Sequence, residues 1–211
     1  TMLNAVAGVF TVDSGSIVID GQDVTRLPEH KRASLLGRVF QDPMMGTAPT
    51  MQIEENLALA ARRGQPRGLG WGITKTERAD YRELLRDLGL GLEDRLTSKV
   101  GLLSGGQRQA LTLLMASLKR PKLLLLDEHT AALDPKTAEV IMALTDRVIR
   151  EKHLTAMMVT HNLRYAVEYG DRILMMNRGR VVLDRAGAEK RATSMDDILT
   201  MFNQISLETG N

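Results

Sequence analysis

Cysteine is absent from the chain, which rules out disulfides, thiolate metal sites and cysteine nucleophiles. The absence agrees with a reducing compartment. Aromatic residues make up only 3% of the sequence, too few for the stacking platforms that hold single-stranded nucleic acid. Neither sign of charge dominates. The 28 basic and 26 acidic residues leave a net +2, and no long run of like charge offers a grip on a phosphate backbone, so no nucleic-acid partner is expected. Long apolar runs are missing as well. Stretches such as Leu123–Leu126 and Ala156–Val159 are strand-sized, far below the roughly 20 residues that cross a bilayer. No signal-peptide pattern is visible in the sequence, so none is expected. These absences lead us to expect a soluble intracellular domain, and 211 residues, 43% of them hydrophobic, are enough to bury a core.

Periodicity gives an alternation of strands and helices. Thr1–Gly8 reads as the body of a helix stopped by Gly8. Ser16–Asp20 reads as a short strand ended by Gly21, Leu27–Leu36 as a basic helix, and Gly37–Phe40 as a strand. Gln52–Arg62 and Thr76–Leu88 carry apolar residues at helical spacing, separated by a glycine-rich loop, Gly64–Gly72, around Trp71. Gln107–Leu118 is a helix, Leu123–Asp127 a buried strand, Pro135–Arg150 a helix with proline in its first turn, and Thr155–Thr160 another strand. A short helix at Asn162–Glu168, a hairpin across Asn177-Arg178-Gly179 and two terminal helices complete the chain. Strands separated by helices predict an α/β fold with a mostly parallel sheet covered on both faces, plus small antiparallel pieces.

The chemistry concentrates in a few places. Leu103-Ser104-Gly105-Gly106-Gln107 opens a helix with a hydroxyl, backbone N–H groups and a positive helix end, all suited to an anion. The same Ser-Gly-Gly entry also makes a good helix cap. Leu123–Leu126 runs into Asp127-Glu128, so a buried strand delivers two carboxylates to a sheet edge. Phosphate donors beside a metal-holding acid are the equipment of nucleotide hydrolysis. One expected part is absent: no G-x-x-x-x-G-K-[ST] loop occurs in the sequence. Gln41 and His161 each follow an apolar strand, where an amide or an imidazole serves equally as a structural end group or as a ligand contact.

In these residues the chain resembles the nucleotide-binding subunit of ATP-binding-cassette (ABC) transporters. Val39-Phe40-Gln41-Asp42-Pro43 looks like the family's Q-loop and Leu103–Gln107 like its signature motif. Leu123–Glu128 is similar to its Walker B strand with the catalytic glutamate, Ala132-Leu133-Asp134 to the D-loop, and Thr160-His161-Asn162 to the switch histidine. Thr1–Gly8 resembles the helix after the Walker A lysine, with Thr1 the second of two hydroxyl residues beside the phosphates. On this resemblance residues 1–211 form one P-loop NTPase-like ATPase domain without its first strands and Walker A loop. Residues of about 50–120 then form a helical signature subdomain.

The resemblance implies ATP and Mg²⁺ as cofactors. It gives Asp127 to the metal, Gln41 to the metal or the attacking water, Glu128 to the attacking water, and His161 to the γ-phosphate. Ser104, Gly105, Gly106 and Gln107 then contact the nucleotide of a second subunit, and Asp134 lies along that interface, though it also suits the N-cap of the following helix. The implied assembly is a homodimer or paired cassette on transmembrane permease subunits, served indirectly by a periplasmic substrate-binding protein. It sits in the cytoplasm against the inner face of the membrane. Met44, Met45 and Met51 are candidates for a groove that receives the permease, as is Trp71. His129 stands where most relatives carry proline, which alters the turn beside Glu128. Two alternatives remain at this stage: a soluble iron–sulfur assembly ATPase, and an inactive cassette fragment acting through protein contacts.

Overall fold

In a computed structural model, residues 2–65 and 72–208 are described, without the side chains of 205–208; Thr1 and Trp71 fall outside this set. The chain divides into two compact units, residues 1–159 and 160–211.

The first unit opens with α1 (Met2–Ala7), β1 (Val18–Ile19), β2 (Gln22–Asp23), α2 (Glu29–Arg32) and β3 (Leu36–Val39). It continues through α3 (Ile53–Ala61), α4 (Lys75–Arg86), α5 (Gly105–Ser117), β4 (Leu123–Asp127), α6 (Pro135–Glu151) and β5 (Ala156–Val159). The sheet is parallel in the order β3-β4-β5, with Val39 opposite Leu126 and Asp127 opposite Val159.

Alternation along the strands builds two cores. Val39, Leu124 and Leu126 face α5 and α6, packing with Leu113, Ile141 and Leu144. Leu36 and Leu125 face the other way, onto Leu3 and Ala7 of α1 and Ile19 and Val24. Both sheet faces are thus covered, as a βα alternation requires. A third core joins α3, α4 and α5 through Ile53, Leu57, Leu85, Leu111 and Leu114. Two reciprocal ties reinforce it: the Thr74/Glu77 capping box that starts α4, and the two-pronged Arg78–Glu54 pair at 2.6 Å.

Two elements differ from the sequence reading. The expected strand Ser16–Asp20 shrinks to Val18–Ile19 and turns back antiparallel onto Gln22–Asp23. The cause is the Asp20-Gly21 pair, with φ of 52° and 76°, which closes a two-residue hairpin instead of merely ending a strand. The expected helix Leu27–Leu36 is only Glu29–Arg32, because Arg32 turns inward and Leu36 already pairs in the sheet with Leu123.

The second unit comprises α7 (Leu163–Glu168), the antiparallel pair β6 (Arg172–Asn177) and β7 (Arg180–Ala186), α8 (Gly187–Ala192) and α9 (Met195–Glu208). Ile173, Leu183 and Ile198 form its core. Arg178 and Gly179, both at positive φ, make the expected tight turn. Among the described residues, no helix is long and apolar enough to cross a membrane.

Candidate functional site

The parallel register brings the carboxyl ends of β3 and β4 together, the edge where open α/β sheets bind ligands. Gln41 lies exposed just past β3, and Asp127-Glu128 ends β4, half-buried. A guanidinium that the sequence reading passed over stands beside them. Arg38 of β3 reaches the Asp127 carboxylate at 3.2 Å and also bonds Asn4 of α1, while its charge lies 4.5 Å above the Phe40 ring. It offsets the charge of Asp127. Nothing in the hydrophobic pattern marks an arginine inside a strand for that task.

Glu128 adopts φ 44°, a left-handed conformation uncommon for a residue with a Cβ. Its N–H donates to the Val159 carbonyl at 2.9 Å and its own carbonyl accepts from Ala131 at 2.9 Å. His129, only 2% exposed, points inward and meets the Thr145 hydroxyl on α6 at 3.1 Å. Burial pushes its pKa down from 6.5 to about 4, so the ring is neutral at pH 7.

That shift has a sign. Between pH 4 and 6.5 the unfolded state binds the proton that the folded state refuses, so stability is complete above 6.5 and is lost as pH falls to about 4. The full loss is about 3 kcal/mol. Urea denaturation across this range is expected to show the slope, and His129→Gln to flatten it; an unchanged slope in that variant contradicts the assignment.

The Ser104 turn carries a complete capping box. Gln107 N–H donates to Ser104 Oγ, and Ser104 N–H to Gln107 Oε1, both at 3.2 Å. The Gln107 amide also donates to the Leu90 carbonyl at 3.2 Å, so this side chain shapes the turn from within its own chain. Ser104 and Gly105 are exposed, while Gly106 is buried against α6. A Cβ on Gly106 would lie 2.4 Å from Thr137 Cγ2, so only glycine lets the two helices meet there. Asp134 caps α6, and hydrogen bonds from the Thr137 side chain and N–H hold its carboxyl below the usual carboxylate range. Gln109, fully buried two residues past the motif, donates to the Phe40 carbonyl at 3.3 Å and so ties α5 to the strand that carries Gln41. An internal polar residue in the second turn of a helix gave no signal in the sequence.

His161 is exposed and belongs to the second unit, directly before Asn162, the cap of α7. A groove of about 570 Å³ in the first unit is lined by Ala7, Arg38, Phe40, Met45, Leu59 and Arg63, among others. Met45 lines it and is 68% exposed; Met44 and Met51 do not line it. Among the described residues no group of three or more His, Asp or Glu could hold a metal ion unaided. A single carboxylate with an amide nearby suits Mg²⁺ instead, which keeps much of its water and shares its coordination with phosphate oxygens.

The family model described as ABC transporter matches residues 1–131. The chain belongs to the ABC transporter family. It is 47% identical over 203 residues to a tyrosine transport ATP-binding protein of Clostridioides difficile, covering 96% of this chain and 80% of that one. It is 35% identical over 185 residues to a methionine import ATP-binding protein of Rhizobium johnstonii, covering 86% of this chain but only 48% of that one. Solved structures agree on the fold. A nucleotide-free ATP-binding cassette from an ABC transporter superposes with a TM-score of 0.75 over all of this chain and 83% of that one, at 22% identity. A dimeric cassette in a post-hydrolysis state bound to ADP and Pi superposes with a TM-score of 0.70, at 28% identity, covering 88% and 78%. This ABC protein is therefore an ATP-binding, ATP-hydrolysing subunit of the importer type, with a P-loop NTPase fold.

Proposed function

We propose that two copies of this cassette clasp ATP between them and couple its hydrolysis to import through a membrane permease. The observation that supports the site assignment is the shared edge of β3 and β4, whose pairing runs to Val39 and Leu126, with Gln41, Asp127 and Glu128 each within two residues of that edge in the sequence. Glu128 orients the attacking water and takes its proton, the task of a placed carboxylate in hydrolysis. Asp127, through water, and Gln41 hold Mg²⁺, which when bound neutralises charge on the phosphate oxygens. His161 offers one hydrogen bond to a γ-phosphate and so distinguishes ATP from ADP.

Ser104 and the N–H groups of Gly105 and Gly106 serve the nucleotide held by the partner copy, with Gln107 keeping the turn in shape. The exposure of Ser104 and Gly105 at the start of the 13-residue helix α5 supports this role. Two-fold symmetry then builds two equal sites at once, and Asp134 lies along their boundary. Thr1 is assigned beside the phosphates by resemblance alone. The whole chain is read as one ATPase domain whose helical part spans about 50–120.

Exposed Met45 on the groove beside Phe40 supports permease docking at this face, at the cytoplasmic side of the membrane. A periplasmic binding protein delivers the cargo. The relatives named for tyrosine and methionine favour an amino acid as that cargo.

The experiment is ATP-dependent dimerisation of the full-length protein, followed by light scattering. A Glu128→Gln variant, slow to hydrolyse, is expected to dimerise only with ATP. Adding Ser104→Arg should abolish the dimer while lowering stability by only about 1 kcal/mol through the lost cap. A dimer that survives Ser104→Arg, or forms equally without ATP, overturns the reading.

A further inference from the structure

His129 has no part in the chemistry assigned above, yet it is buried directly behind the residue that has most. A left-handed conformation such as that of Glu128 persists only where its surroundings over-determine it. From one side β5 does so, since the Val159 carbonyl takes the Glu128 N–H at 2.9 Å. From the other side the restraint comes through His129 and α6.

The direction of that second tie can be assigned. The Thr145 hydroxyl donates to the Ile141 carbonyl at 2.7 Å, so its single hydrogen is already committed. Its contact with His129 Nε2 at 3.1 Å must then be donated by the ring, which fixes the Nε2–H tautomer. The helix that anchors His129 is the one that Asp134 caps. Turn, anchor and cap are therefore parts of one rigid corner.

We propose that His129 is a positioning residue: its Nε2–H···Thr145 hydrogen bond pins the turn after β4 and so aims the Glu128 carboxylate. The proposal rests on the reading of Glu128 as the base. The His129 ring reaches a neighbouring helix, so the turn is braced against α6.

The test measures kcat, KM and nucleotide affinity of the full-length protein. His129→Leu and Thr145→Val are each expected to lower kcat about 10- to 100-fold, the scale of an ångström-sized misplacement, with nucleotide affinity unchanged. The double variant should be no slower than His129→Leu alone, because both remove the same bond. His129→Gln and Thr145→Ser, which keep a donor and an acceptor, should recover most of the rate. In a Glu128→Gln background His129→Leu should change nothing further. Losses that multiply in the double variant, or a fully active His129→Leu beside an inactive Glu128→Gln, overturn the positioning role alone. A fully active Glu128→Gln overturns the base assignment and this proposal with it. Should the leucine or valine variant not fold, nitrogen-15 NMR of the unaltered ring decides: hydrogen on Nε2 supports the brace, and hydrogen on Nδ1 overturns it.

Discussion

Glu128→Gln is expected to lower ATP turnover about 10²- to 10⁴-fold while nucleotide binding survives. That range is what a positioned general base contributes to a hydrolytic step. Glutamine matches glutamate in size and still accepts a hydrogen bond through its carbonyl oxygen, so the water keeps one partner but loses the group that takes its proton. The backbone should tolerate the change, because the main-chain bonds to Val159 and Ala131 and the His129 contact with Thr145, which hold the left-handed φ of 44°, do not involve the Glu128 side chain. The prediction therefore separates chemistry from fold: near-normal unfolding curves, near-normal nucleotide affinity and a collapsed kcat. Loss confined to kcat is the mark of an interaction used only in the transition state. Unchanged turnover would remove Glu128 from the mechanism and leave Asp127-Glu128 as acids at a strand end.

The motifs were legible because each sits where periodicity changes. Leu123–Leu126 alternates between two cores and then stops at two carboxylates, so strand and site are written in the same six residues. Ser104-Gly105-Gly106 announces a helix start, and the capping box found there shows why the bland and the functional readings of such a turn coincide: both use the same exposed N–H groups. The short hairpin was missed although its signal was present. Asp20-Gly21 is among the strongest two-residue turn pairs, but only two residues on either side pair, too few to show alternation. Arg38, Gln109 and the His129–Thr145 pair were not legible at all. Each is a polar side chain whose partner lies across the sheet or on another helix, and a one-dimensional pattern cannot weigh a contact of that range. Arg32 is the extreme case, since Glu29-His30-Lys31-Arg32 reads as a solvated charged face and His30 and Lys31 are indeed exposed.

Replacing Arg32 by methionine is expected to destabilise the protein by about 3–5 kcal/mol, the scale of breaking a buried charged network. Its side chain is 1% exposed and, among the described residues, has no carboxylate partner. Four carbonyl oxygens surround it instead. Nε donates to Leu27 at 2.8 Å, one terminal nitrogen to Ala5 and Val6 at 2.9 Å each, and the other to Thr25 at 3.0 Å. Ala5 and Val6 belong to the last turn of α1, where carbonyls lack helical partners and the helix dipole is negative. The cation thus caps α1 and ties it to the segment after the β1–β2 hairpin. Gly8 leaves the room for it: φ is +82°, and a Cβ there would come within 2.7 Å of Nε. Methionine fills comparable space but donates nothing, leaving several buried carbonyls unpaired at about 1–3 kcal/mol each, partly relieved by entering water. Lysine should recover only part of the loss, because an ammonium is a point donor and cannot span carbonyls that a planar fork reaches at once. The measurement is the urea midpoint at constant slope. A shift worth less than about 1 kcal/mol in the methionine variant would mean that α1 is held by Leu3 and Ala7 packing alone.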